Sequence, residues 1–193
     1  SGMMPVYERV QNMAEGAAIM ANVDYKISLI SGIYEVLVNR AGGEIMQNNL
    51  ELLGPITYTE EEIAFGKKIQ MVTGKPQVGM DSKITPLEET KENPGGGSTD
   101  VGDVSWNVAN INLGVTTAPK DTPWHSWAVV ACGGMSIGHK GMTYAAKALG
   151  MTMVDLFEDA KLVEEVKAEY RERKGTEVYE AIVPDGPPPI DWN

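Results

Sequence analysis

Three side chains in this sequence have the chemistry to attack, ligate or shuttle a proton near neutral pH: His125, His139 and Cys132. A catalytic zinc takes three protein ligands of His, Asp, Glu or Cys type and keeps one position open. Two histidines fourteen residues apart cannot make an all-nitrogen site, so a metal here needs carboxylates as well. His125 stands in Thr122-Pro-Trp-His-Ser-Trp127, between two tryptophans after a proline turn. Taken alone it reads as a structural or surface histidine, and its setting is what raises it to a candidate. His139 in Gly138-His-Lys-Gly141 opens a helix and reads as structural. Cys132 needs a neighbouring base to be a nucleophile, and nothing in the sequence places one, so it reads as an inert buried thiol. Gly95-Gly-Gly-Ser-Thr-Asp-Val-Gly-Asp103 gathers backbone amides, hydroxyls and two carboxylates. It lacks the Gly-Lys-Ser/Thr of a phosphate loop. Two readings stay open: a flexible loop capping the next element, or a ligand-side loop in which Asp100 or Asp103 orients a substrate. The glycine turn after Trp127–Ala131 has the spacing Gly-Gly-x-x-x-Gly, and no second βαβ unit follows, so nucleotide binding is the weakest reading.

The elements that must position these residues follow from periodicity. Val6, Val10, Met13, Ala17 and Met20 mark one helical stripe opened by Pro5. Val23, Tyr25, Ile27 and Leu29 alternate with polar residues, which predicts a strand that continues through Ile33–Val38. A short helix covers Glu44 to Leu53 and stops at Gly54-Pro55. Thr59 with Glu62 forms a capping box, and its helix ends near Gly74. Residues 75–99 are irregular, as long functional loops are. Strands are expected at 104–109, 111–116 and 124–131. A helix follows over 136–149, then a long one capped by Thr152 and Asp155 and stopped at Gly175. The tail from Pro184 reads as extended. This order predicts a mixed α/β architecture.

Composition narrows the function classes. Sixteen Lys plus Arg against 27 Asp plus Glu leave a net charge of -11, a bias that repels phosphate backbones and argues against nucleic-acid binding. A single cysteine excludes an internal disulfide framework and suits a reducing, cytoplasmic setting. No apolar run approaches the roughly 18 residues of a membrane span. Ser1-Gly2 ahead of Met3 reads as an expression scar.

Longer motifs carry a resemblance. Gly97-Ser-Thr-Asp-Val-Gly-Asp-Val-Ser-Trp106, Thr122–Trp127, Ser136-Ile-Gly-His-Lys-Gly-Met142 with Ala145–Ala148, and Arg9-Val-Gln-Asn-Met-Ala-Glu-Gly-Ala-Ala18 followed by the run to Val38-Asn39-Arg40 are the segments that carry it. Together they resemble the C-terminal part of amidohydrolases in the dinuclear metallopeptidase family of aminoacylases, glutamate carboxypeptidases and N-acyl-amino-acid amidohydrolases. The resemblance implies an α/β fold: residues 1–38 as the last helix and strand of a lid domain that dimerises, and 39–193 as the C-terminal part of a mixed-sheet, zinc-peptidase-like catalytic domain. It implies two divalent ions, zinc or manganese, in the full-length protein, and none in this part alone. His125 matches the family's last metal-ligand histidine. Asp100 and Asp103 match a polar segment beside the substrate, and Asn39 matches an asparagine at the lid's exit with a contact or a capping role. The general-base glutamate and the other ligands belong to the family's first half, so no catalytic residue is assigned here. Gly138 and Gly141 match packing positions. The implied function is hydrolysis of the amide bond of an N-acyl amino acid such as p-aminobenzoyl-glutamate, with the isolated chain inactive. The alternative is a non-catalytic binding or assembly protein of the same fold. The expected partners are that small molecule and a second protein chain, as a homo-oligomer through the lid region or a hetero-oligomer with a homologous subunit. Neither nucleic acid nor membrane is expected.

Overall fold

The computed structural model describes residues 3–88, 97–183 and 185–187. Their regular structure is entirely helical: seven helices and, among the described residues, no strand. This overturns the α/β expectation and its mixed sheet. The start of the glycine-rich loop and the end of the proline-rich tail lie outside the described residues.

The chain groups into two units, 1–34 with 180–193, and 35–179. The first contains α1 (Met3–Ala21). Its end is a Schellman motif: Asn22 turns left-handed at φ 52°, its N–H donates to the Ile19 carbonyl at 3.3 Å, and the Val23 N–H donates to Ala18 at 3.1 Å. The apolar stripe forms on this helix as its spacing implies, but it faces outward. Only Ala18 is buried, while Val6, Val10, Met13 and Met20 are all exposed. Residues 23–34, expected as a strand, carry no regular structure. Alternation makes a sheet only where a neighbouring strand offers its N–H and C=O groups, and no described segment does. Within this unit the Tyr34 hydroxyl donates to the Glu180 carbonyl at 3.0 Å.

The second unit holds α2 (Arg40–Leu53), α3 (Glu60–Val72), α4 (Val101–Ser105), α5 (Trp127–Gly133), α6 (Ser136–Glu158) and α7 (Ala160–Lys174). The long α6 packs on α2, α5 and α7. One expected strand, at 124–131, is largely a short helix instead. Trp127–Gly133 is an apolar run bounded by turns, which periodicity alone cannot assign to helix or strand. Its buried residues, Ala128 and Cys132, are four apart, the spacing of one helical face. Those two side chains join Ile69, with Phe65, Ala118 and Ala131 around them, in an apolar cluster. The expected strand at 104–109 begins inside α4, and the one at 111–116 is irregular.

The break expected at Gly150–Thr152 is also absent. Thr152 is buried within α6, where its hydroxyl accepts from the Asn49 amide at 3.1 Å, so it has no capping role. The helix ends at Asp159 instead, whose carboxylate accepts the Lys161 N–H at 2.8 Å and starts α7. Gly138 and Gly141 do act as packing positions. A Cβ on Gly141 would sit 2.7 Å from the Thr116 carbonyl oxygen, and one on Gly138 would collide with the Gly133 backbone.

Candidate functional site

The segment leading to His125 is a pair of hydroxyl-locked turns. The Thr122 N–H and hydroxyl both donate to the Pro119 carbonyl, at 3.2 and 2.6 Å. The Ser126 hydroxyl donates to the Pro123 carbonyl at 2.6 Å. Between them His125 sits in the left-handed region at φ 57°, exposed, just ahead of α5. Trp124 and Trp127 are 68% and 60% exposed, so within this chain they do not wall the histidine from water. His139 lies in the first turns of α6 and is exposed.

The other candidates belong to a different block. Asn39 is buried and caps α2: its side-chain oxygen accepts the Gly42 N–H and its amide donates to the Val166 carbonyl, both at 2.8 Å. Glu169 completes that helix start by accepting the Ala41 N–H at 2.6 Å. Burial raises the Glu169 carboxyl, but the Ala41 and Arg40 amides and Arg173 outweigh it, leaving its pKa below the usual value. Asp103 lies in α4 and accepts from the Tyr179 hydroxyl at 3.2 Å. Asp100 precedes α4, is exposed and makes no side-chain cap. Ser105, fully buried, accepts the Leu37 N–H at 2.8 Å, so the segment before Asn39 and α4 are tied together. The structure therefore links Asn39 and Asp103 through their neighbours. It brings His125 into neither of these contacts.

Among the described residues no three His, Cys, Asp or Glu side chains converge closely enough to hold a metal ion. The residues around His125 in this chain therefore do not form a site for the implied ion pair, and no step is derived through one. Cys132 is fully buried, and burial pushes its thiol pKa up, as an inert thiol requires.

A feature that the sequence did not signal borders the His125 turn. A groove of about 640 Å³ is lined by Lys75, Lys120, Asp81, Asp121, Thr117 and Trp124 among others. Gln70, with no exposed surface, ties the backbone of Lys120 in that lining to Gly79: its amide donates to Gly79 at 3.2 Å and Lys120 at 3.0 Å, and its oxygen accepts the Gly79 N–H at 2.8 Å. The Thr116 hydroxyl adds a 2.7 Å bond to the Asp81 carbonyl. A glutamine inside an amphipathic helix gives no sequence signal of such a clamp. A second missed group is Lys140, which reaches the Glu62 carboxylate at 2.6 Å and the Thr57 carbonyl at 2.9 Å. The capping box predicted Glu62's local role, and only the approach of α6 supplies the cation.

Comparison with known proteins supplies the likeness that the geometry alone does not. Over 204 residues the chain is 30% identical to a p-aminobenzoyl-glutamate hydrolase subunit of Escherichia coli (strain K12), an alignment covering 93% of this chain and 42% of that protein. The chain is similar to that hydrolase subunit. No family model matches the chain, and no solved structure matches it. The chain spans less than half the length of that relative, whose name makes it one subunit of a hydrolase. No helix among the described residues is long and apolar enough to cross a membrane.

Proposed function

We propose that this chain is part of an amidohydrolase that cleaves the amide bond of an N-acyl amino acid of the p-aminobenzoyl-glutamate type, with His125 as one ligand of a divalent metal centre. The observation that supports it is the 30% identity to the Escherichia coli hydrolase subunit across nearly the whole chain. The other ligands and the general base come from polypeptide matching the rest of the relative's length. The chain alone is inactive and binds no dinuclear metal pair, because one ligand cannot supply the affinity of a preformed site. A non-catalytic binding or assembly role is the second reading, in line with the relative's name as one subunit of a hydrolase.

The test is arylamine release from p-aminobenzoyl-glutamate, with metal content measured alongside. The isolated chain is expected to show neither turnover nor stoichiometric zinc in calorimetry. In the complete protein His125→Ala should abolish hydrolysis and lower metal affinity by more than the roughly 10–100-fold typical of residues that only support a ligand. His139→Ala should leave metal content intact. Two zinc ions bound by the isolated chain, or full metal occupancy in the His125→Ala protein, overturns the assignment.

A further inference from the structure

We infer that the outward side of α6 is a self-complementary seam on which a second copy of this chain packs antiparallel. Met142, Ala146, Leu149, Met153 and Phe157 recur at three- and four-residue steps and so share one side of the helix. All five are exposed, the four large ones by between 41% and 85%. The side packed against the rest of the unit is another, marked by buried Ile137, Ala148 and Thr152. The charged side is a third, where Lys147 and Glu158 meet water about a third of a turn from the seam. A surface helix needs one apolar side for its core and one polar side for solvent. α6 has both, and a second apolar side left over.

Gly150 points to the occupant. It borders Leu149 on the seam, and a methyl added there would have nothing within 4 Å. A second α6 laid antiparallel about the midpoint of Leu149 and Gly150 sets Leu149 against the other copy's Gly150. The same register sets Ala146 against Met153 and Met142 against Phe157. Each contact occurs twice, as a twofold axis demands, and two of the three layers place a large side chain over a small one. A slip of one turn either way leaves Phe157 or Met142 without a seam partner. At roughly 200 Å² for a large side chain, the four exposures come to about 500 Å² per copy, or about 1,000 Å² for the pair. That is the size at which a specific interface begins. The seam itself carries no charge, so the net charge of -11 acts only from beyond it, where salt screens it.

The experiment is position-specific cross-linking of the 193-residue chain with a short thiol-reactive cross-linker. Cys132 is fully buried, so the unaltered chain is expected to give no cross-link. Gly150→Cys places two thiols beside the twofold axis and is expected to give a covalent dimer. Phe157→Cys alone places them about 22 Å apart along the pair and is expected to give none. Met142→Cys combined with Phe157→Cys restores a facing pair and should cross-link again. Leu149→Lys, added to Gly150→Cys, should lower the dimer yield at least tenfold with an unchanged melting temperature, since Leu149 is exposed. No dimer from Gly150→Cys, equal yields from Gly150→Cys and Phe157→Cys, or a yield indifferent to Leu149→Lys overturns the seam. Cross-linking of Gly150→Cys in this chain but not in the complete protein makes the remaining polypeptide the occupant there, and overturns the second copy. The readout uses neither substrate nor metal, so its failure leaves the proposed function standing, and absent hydrolysis leaves the seam standing.

Discussion

Glu62 carries two tasks at once. Its carboxylate accepts the Thr59 N–H at 2.7 Å, closing the capping box of α3, and pairs with Lys140 on α6 at 2.6 Å. Bonds from Lys140, Ser136 and the Thr59 amide outweigh burial and hold its pKa at about 2, against an ordinary 4.5. A lowered carboxyl pKa gives stability that is complete above pH 4.5 and is lost as the pH falls towards about 2. The pair is not sealed, because Lys140 is 34% exposed. Glu62→Gln should therefore cost about 1–2 kcal/mol at pH 7, a cap plus a partly screened pair. That difference should close in acid. Urea unfolding at several pH values checks it, and a gap that stays constant down to about pH 2 contradicts the assignment. Tyr58 titrates oppositely. Burial, then the charge of Glu62, push its phenol up to about 12 from 10.0. Its contribution is present below pH 10.0 and is lost as the pH rises towards about 12.

At the scale of elements, α6 organises the larger unit, and its glycines separate two kinds of position. Gly141 is where the helix backbone touches the 116–117 segment. A methyl there meets the Thr116 carbonyl at 2.7 Å and the Thr117 methyl at 2.7 Å, so one of the two elements must move. Gly150 in the same helix has nothing within 4 Å of such a methyl. Gly141→Ala should destabilise by about 1–3 kcal/mol. Gly150→Ala should stabilise by about 0.4–1 kcal/mol, since only the freedom of the unfolded chain changes. Thermal melts of the two variants that shift in the same direction contradict this packing. The helix is held to α2 by polar contacts as well as apolar ones: the Asn49 amide reaches Asp155 at 2.6 Å, and the Tyr144 hydroxyl closes the end of α2 by donating to the Gly54 carbonyl at 2.8 Å.

At the scale of the whole molecule, the outward stripe of α1 and the irregular segment after it leave Val6, Val10, Met13, Met20, Val23 and Tyr25 in water. Such a surface recruits another chain. Oligomerisation through residues 1–38 is the expected outcome, read as a concentration-dependent sedimentation coefficient. Val10→Glu with Met13→Glu should remove the association made through α1. A strictly monomeric profile of the unaltered chain at high concentration contradicts it.

Local chemistry is legible in the order of residues. The capping box at Thr59–Glu62 joins side chains to backbone groups three residues away, and the stop at Gly175 uses the positive φ that glycine adopts freely, so the sequence alone determines them. The likeness to a p-aminobenzoyl-glutamate hydrolase subunit is legible for a related reason: its motifs persist in the chain whatever surrounds them. The strands are not. Alternation at 23–31 and the apolar run at 127–131 state only which residues avoid water, and whether a sheet or a helix buries them depends on what the rest of the chain places alongside. Tertiary structure also decides that Lys140 meets Glu62, that Gln70 clamps Gly79 and Lys120, and that Lys75, Lys120, Asp121 and Trp124 share one groove. Each of these joins separate segments through a hydrogen bond, an ion pair or a shared cavity, and only the folded path of the backbone brings such partners within reach.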